Sequence, residues 1–383
     1  MTNEEEQRKD IVNCLVNNKR ASIHSTRDIE RQRRELFERW KKHYRSPITP
    51  VTFTTIDGKN VAIKDESQNS TDTYKEQHGS TMAEHYLQHA FPEEHTYYLV
   101  STGNAAFSDF VYAERINKLV GEQKVRVINF WPKHYDTKLL GPDSHGRFTT
   151  GKRFRQRMED FPSGRNEVVD FTEAFWDTET CRKHLNKQGL NLTPENSTDI
   201  TEGFNPTYEP VMKYYARQIQ FNEWIEREDL LRQFPKTLLV VQYGAGMLHD
   251  DCKKVIREQQ LPIDVLAVST NRADTIADKM CDTSGRWQDH TEIVGKQGTS
   301  TARKTGDIIY HVTDQEILFA LQQMRAMKDM EAESTGAGGL AILPRLETII
   351  GKERLDKYDL LAFINTGNGI RETAYENVMN TKE

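Results

Sequence analysis

Three apolar runs in this 383-residue chain end in the same way, and that repetition constrains the fold more than any other feature. Tyr97-Tyr98-Leu99-Val100 leads into Ser101-Thr102-Gly103-Asn104-Ala105-Ala106. Thr237-Leu238-Leu239-Val240-Val241 leads into Gly244-Ala245-Gly246-Met247-Leu248, and Leu360-Leu361-Ala362-Phe363-Ile364 into Thr366-Gly367-Asn368-Gly369. Short apolar runs of this kind read as buried strands. Strands are expected at 61–64, 96–100, 125–130, 237–242, 264–268, 307–312 and 359–364, alternating with helix-like segments. That rhythm predicts an α/β fold of mostly parallel sheets covered by helices. A strand running into a glycine-containing loop is where open α/β sheets bind ligands. Glycines let backbone N–H groups approach an anion, and a following helix adds its positive end. Each such loop taken alone is equally a tight turn.

A fourth run, Val61-Ala62-Ile63, leads into Lys64-Asp65-Glu66-Ser67-Gln68-Asn69-Ser70-Thr71-Asp72-Thr73-Tyr74-Lys75. Small and polar residues here carry the backbone to a lysine preceded by an aromatic. A lysine at the mouth of a loop after a strand can be desolvated enough to lose its proton and attack a carbonyl. Most lysines are solvated surface groups, and this segment by itself leaves both readings open.

Taken together, the segments resemble the pyridoxal-phosphate enzymes of the tryptophan-synthase-β fold (fold type II), and within them the threonine synthases. That family carries a Lys-Asp-Glu-x-x-Asn-Pro-Thr-Gly-Ser-Phe-Lys run, which lines up with Lys64 to Lys75. It carries a Ser-Thr-Gly-Asn-(Thr/Ala)-Ala loop, here Ser101 to Ala106, and a glycine-rich loop after a mid-chain strand, here Gly244 to Leu248. Its late Thr-Gly-(His/Asn)-Gly is here Thr366 to Gly369. A fifth match runs from Val312-Thr313-Asp314-Gln315-Glu316-Ile317 to Glu333-Ser334-Thr335-Gly336-Ala337-Gly338-Gly339-Leu340-Ala341. The matches span residues 47 to 372.

The resemblance implies two domains with the active site in the cleft between them. Residues 1–80 and 215–383 are expected to form the larger, cofactor-binding domain, and 81–214 the smaller one. It implies pyridoxal 5'-phosphate as cofactor, tethered as an imine to Lys75, whose freed amine then serves as base for the α-proton. Asn104 would bond the phenolic oxygen of the cofactor. Ser101, Thr102 and Gly103 would hold the substrate carboxylate. Gly244, Ala245, Gly246, Met247 and Leu248 would offer backbone N–H groups to the phosphate, and Thr366 would bond the pyridine nitrogen. The implied activity is elimination and replacement on an amino acid with a β- or γ-leaving group. Two alternatives share the fold: a β-replacement synthase of the cysteine or cysteate type, and a non-catalytic homologue that binds cofactor or amino acid.

The chain departs from the family pattern at informative points. Ser70 replaces a proline, Asp72 a glycine, Met247 a glycine, and His78 stands near a usual arginine. Asp72 places a carboxylate in the lysine loop and is expected to touch the substrate, where it would oppose a phosphorylated one unless basic groups compensate. Lys133, Lys138, Lys152 and Arg153 are candidates for that compensation.

Charged residues make up 29% of the chain and its net charge is -6, which gives no reason to expect nucleic acid. No apolar run approaches the roughly 20 residues of a membrane span. Cys14, Cys181, Cys252 and Cys281 show no metal spacing, so no metal site is expected, and a reducing compartment is. The acidic Glu4-Glu5-Glu6 is unlike a signal peptide, so the chain is expected to be cytoplasmic. A homodimer is expected from the resemblance alone. Residues 1–45 read as helix, with Ser25 and Asp28 as a capping box and Ile29, Leu36, Phe37 and Trp40 on one face. The polar stretches 133–166 and 186–206 read as long loops, and Lys152 to Arg157 as a solvated basic helix face.

Overall fold

The computed structural model describes residues 26–44, 49–101, 103–137, 139–140, 149–161, 165–171, 186–187, 189, 234–244, 246–270, 275–277, 280, 292–294, 298–302, 305–327 and 330–368. Their strands form one eight-stranded sheet, one three-stranded sheet and a small antiparallel ribbon of β5 (Leu139–Leu140) and β6 (Thr149–Thr150).

The small sheet is made of β3 (His95–Val100), β4 (Val125–Pro132) and β7 (Glu167–Phe171), all parallel. The large sheet also begins upstream of it, with β1 (Val51–Ile56) antiparallel to β2 (Lys59–Asp65). Its remaining members are β8 (Thr237–Gln242), β9 (Ile263–Ser269), β10 (Glu292–Val294), β11 (Thr299–Ala302), β12 (Ile308–His311) and β13 (Leu360–Asn365). Their spatial order is β1-β2-β13-β8-β9-β12-β11-β10. The centre of this sheet, from β2 to β12, is parallel throughout. Every residue of β8 and β13 is buried, which is why both read as unbroken apolar runs. Each of the seven strands expected from the sequence is present, most with ends shifted by one or two residues.

The helices that matter here are α1 (26–43), α2 (Glu76–His85), α3 (Asn104–Val120), α4 (Gly151–Glu159), α5 (Met247–Glu258), α6 (Asp314–Ala326) and α7 (Ser334–Ala337). In α1, Trp40 is buried while Ile29, Leu36 and Phe37 are half-buried, as the helical spacing predicts. Trp40 packs on Tyr112 of α3 and belongs to the apolar cluster built around the small sheet. Ser25 of the expected capping box lies outside the described residues. So does residue 214/215, the expected domain boundary, while α2 runs through the other boundary at 80/81.

The expected loop at 133–166 is a correction, because it holds α4 and a 3-10 turn at Lys133–Thr137. Thr150 caps α4 by accepting from the Arg153 N–H. The basic helix face expected at Lys152 to Arg157 is part of α4, in which Met158 is buried and Arg155 pairs with Glu159 and Asp170. Of the second expected loop, 186–206, almost all lies outside the described residues. Among the described residues no helix is long and apolar enough to cross a membrane.

Candidate active site

The candidate site is assembled at the carboxyl ends of β2, β8 and β13, where the expected site residues come from segments distant in sequence. β2 ends at Asp65, which pairs in register with Asn365 at the end of β13. The Asp65 carboxylate accepts hydrogen bonds from Ser67, Gln68 and Asn365 Nδ2 (2.8 Å). Burial pushes its carboxyl above the usual carboxylate range, and these donors hold it back only in part.

From there the chain turns through Asn69, whose Nδ2 reaches Glu66 Oε2 (2.7 Å) and the Thr73 carbonyl (3.1 Å). The turn delivers Lys75 as the residue that precedes α2. Lys75 is half-buried, and its Nζ lies 4.8 Å from the centre of the Tyr74 ring. Lys64, the other lysine of this segment, is fully buried, and its Nζ donates to the Thr49 carbonyl (2.6 Å), 3.7 Å from Glu66 Oε1.

The lysine loop is laced directly to the turn after β13. Tyr74 N–H donates to the Thr366 carbonyl (3.0 Å), Asn368 N–H to the Asp72 carbonyl (2.8 Å), and Thr73 bridges Gly367 as an isolated antiparallel pair. Gly367 has φ +143°, and a Cβ there would fall 2.6 Å from the Asp72 carbonyl oxygen. Only glycine allows that approach. Thr366 is 4% exposed, and its hydroxyl has no hydrogen-bond partner among the described residues; the Asn368 side-chain oxygen is in the same state. Buried hydroxyls are rarely left so. Lys75 and Thr366, about 290 positions apart in sequence, are thus brought within one hydrogen-bonded unit.

The second expected loop opens α3. Gly103 precedes the helix at φ +147°, and its N–H donates to Ser101 Oγ (3.2 Å). Buried Asn129 of β4 clamps Ser101 at both ends, accepting from its N–H (3.0 Å) and donating to its carbonyl (3.2 Å). Asn104 is half-buried at the first position of α3. Thr102 lies outside the described residues.

The third loop opens α5. Gly246 has φ +84°, and a Cβ there would meet the Tyr243 hydroxyl oxygen at 2.7 Å. Met247 and Leu248 are the first two residues of a 12-residue helix, so their backbone N–H groups are among those left free of intrahelical partners. Gly244 is half-buried just ahead of them, and Ala245 lies outside the described residues. Gln242, at the end of β8, ties this strand to α7 and β13: its Nε2 donates to the carbonyls of Gly336 (3.0 Å) and Ile364 (2.7 Å). The cavity of about 310 Å³ lined by His249, Asp307, Arg354 and Tyr358, among others, includes none of the expected site residues.

Sequence reasoning missed how the lysine loop is held against the Ser101 loop. Glu76, the residue after Lys75, is fully buried. Its Oε2 accepts from the Thr71 N–H (2.8 Å), and its Oε1 from Tyr112 Oη (2.7 Å) and Ser70 Oγ (2.9 Å). Arg115 of α3 donates to Ser70 Oγ (2.9 Å) and stands 3.9 Å from Glu76. Two residues on, His78 Nδ1 lies 2.6 Å from Asp109 Oδ1, both buried. These polar groups join α2 to α3, the two helices that begin at the two loops. The one signal available beforehand was helical spacing: Ser108 and Tyr112, four apart on α3, share a face, as do Glu76 and Gly79, three apart on α2. Gly79 lets the helices touch, since a Cβ there would fall 2.5 Å from the Ser108 carbonyl oxygen.

Of the groups that could have offset the Asp72 charge, Lys133 is engaged elsewhere, 3.2 Å from Asp136 and 3.1 Å from Asp170. Lys138 lies outside the described residues. Lys152 and Arg153 sit in the first turn of α4, with Lys152 exposed.

No protein-family model matches the chain, and no curated protein matches it in sequence. Solved structures do match its fold. Diaminopropionate ammonia lyase from Escherichia coli superposes with a TM-score of 0.57 at 14% identity, covering 91% of each chain. A pyridoxal 5'-phosphate-dependent aspartate racemase gives 0.56 at 16% identity, with 89% of this chain and 95% of that one covered. Serine racemase from Dictyostelium discoideum gives 0.54 at 15%, covering 89% and 98%. The chain has the α/β fold these enzymes share, the fold type II architecture that the sequence resemblance implied.

Proposed function

We propose that this chain is a pyridoxal-phosphate-dependent enzyme that removes a β- or γ-substituent from an amino acid, in the manner of the threonine synthases. The observation that carries the reading is the Thr366 hydroxyl, buried without a partner on a turn that is hydrogen-bonded to the loop of Lys75. The fold relatives named above include a lyase that works on an amino acid with this cofactor, which supports the same class.

The residues present fit the cofactor. Lys75 supplies the amine that tethers it, and Gly246 with the first N–H groups of α5 offers a cradle for its phosphate. Asn104 stands at the start of α3 for its phenolic oxygen, and Thr366 would bond its ring nitrogen. When bound, the cofactor supplies an electron sink for charge leaving the substrate α-carbon.

The rest of the chemistry falls to the protein. Backbone and hydroxyl donors of the Ser101–Gly103 loop would orient the substrate carboxylate, with Asn129 holding that loop in place. The Lys75 amine, freed by the incoming amino acid, would take the α-proton. A threonine hydroxyl does not force a proton onto the ring nitrogen as an aspartate would, so the sink is weak. A weak sink favours reactions in which a leaving group carries the charge away.

Purified protein should therefore absorb in the visible, and borohydride should fix the cofactor to the peptide containing Lys75. Lys75→Ala should lose both. Labelling of a different lysine would dismiss the reading.

A further inference from the structure

β9 is longer than the strand beside it, and the difference leaves a hollow. β12 pairs with β9 only from Ile309↔Ala267 to His311↔Ser269, so the start of β9 has no strand on that side among the described residues. The cavity of about 310 Å³ lies there. Val265 and Leu266, neighbours in β9 whose side chains leave opposite faces of the sheet, both line it. Leu238, Ile308 and Ile350 extend its apolar wall. A space of this size with a largely apolar lining and a few polar groups suits a small organic molecule.

The charged groups around this cavity are not equivalent. Asp307 is neutralised by Lys253, whose Nζ donates to both carboxylate oxygens (2.5 and 2.6 Å), and His249 Nε2 stands 4.0 Å from it. Arg354, an exposed residue of the short helix Lys352–Leu355, is hydrogen-bonded to Tyr358 and forms no ion pair among the described residues. Tyr358 Oη in turn donates to Asp264 Oδ2 (2.6 Å), so Asp264 acts on Arg354 through that hydroxyl. Both acids beside the cavity therefore already have a donor. A guanidinium carries several N–H donors in a fork that fits a carboxylate, and one tyrosine oxygen does not exhaust them.

We propose that this cavity is a ligand site for a small monocarboxylate with an apolar body, the body filling the space beside Leu238, Leu266 and Ile308 and the carboxylate pairing with Arg354. A ligand of the same shape with a cationic end would meet Arg354 as a like charge, and would have to compete with Lys253 or Tyr358 for an acid. The cavity includes none of the expected site residues, and the proposal does not depend on the function read at that site.

The test is calorimetry on the full-length protein with isocaproate and isohexylamine, which share one branched body and end in opposite charges. The acid should bind with a dissociation constant on the order of 1 mM or tighter, and the amine at least ~10-fold more weakly. Arg354→Met, which keeps an apolar stem and removes the charge, should weaken the acid at least ~10-fold and bring the two probes close to parity. Arg354→Lys should restore part of the acid's affinity, since it returns the charge without the planar fork. Thermal melting of both variants checks that the fold is kept, which the exposure of Arg354 favours. Acid binding that both variants leave unmoved would put the acid elsewhere, at the Ser101 loop for instance, and overturns the proposal. Absence of acid binding up to ~10 mM, or equal affinity of wild type for the amine, overturns it as well.

Discussion

Replacing Glu76 by alanine and by glutamine should give two different stabilities, and the difference measures how the lysine loop is held. In the protein this buried carboxylate accepts the backbone N–H and the hydroxyl of Thr71, and the hydroxyls of Tyr112 and Ser70. Alanine removes every acceptor at once. The Thr71 N–H and the Tyr112 hydroxyl are then left buried and unpaired, each costing roughly 1–3 kcal/mol, and Arg115 loses its acidic neighbour. The expected loss is about 4 kcal/mol. Glutamine keeps one oxygen, which can stay on the Thr71 N–H, because that donor cannot reverse its role. Its amide would then face Tyr112 and Ser70, whose hydroxyls can rotate and accept. Only the charge is lost, at about 1–2 kcal/mol. Urea unfolding followed by tryptophan fluorescence reads both values from the shift in midpoint at constant slope. Equal losses for the two variants would refute the assignment, because they would mean that the hydrogen bonds are not what the carboxylate contributes.

Gly246→Ala should cost at least ~2 kcal/mol, since the site demands φ +84° and the new Cβ would press on the buried Tyr243 ring, and it should weaken cofactor binding in a titration; unchanged affinity would move the phosphate away from α5. The hydrogen bond from Lys133, then the charge of Arg155, holds the Asp170 carboxyl below the usual carboxylate range despite the opposing effect of burial. A lowered carboxylate stabilises the fold above its ordinary pKa and loses that contribution as pH falls through the lowered value. Lys133→Met should therefore lower stability at neutral pH, with the difference from wild type shrinking as pH falls through the lowered value; a difference that does not change with pH would dismiss the pair.

The strands were legible because burial on both faces leaves a parallel strand no room for polar residues. β8 and β13 read as apolar runs for that reason, and their glycine-containing exits followed. Elements that meet solvent on one side were harder to see. β7 is five residues long with charges at Glu167 and Asp170, and α4 was legible only as a basic helix face over Lys152 to Arg157, inside a stretch otherwise read as loop. The N-terminal helix was visible through the spacing of Ile29, Leu36, Phe37 and Trp40. Its place against Tyr112 was not, because an amphipathic face does not name its partner.

The site divides along a similar line. Residues whose role is set by backbone conformation could be found beforehand, since a glycine after a strand signals a turn wherever it occurs. Gly103, Gly246 and Gly367 all have positive φ, and each lies in a loop read from the sequence as part of the site. Residues that act by reaching across to another helix gave no comparable signal. Glu76, Tyr112 and Arg115 look like ordinary helix surface residues in sequence, and only the contact of α2 with α3 turns them inward. The consequence is mechanical. The helix that follows Lys75 and the helix that begins at Asn104 are fixed to each other within about three turns of those residues, by Glu76 with Tyr112 and by His78 with Asp109. A displacement of either loop must therefore carry the other with it, so Lys75 and the loop proposed to hold the substrate carboxylate keep their spacing as one body.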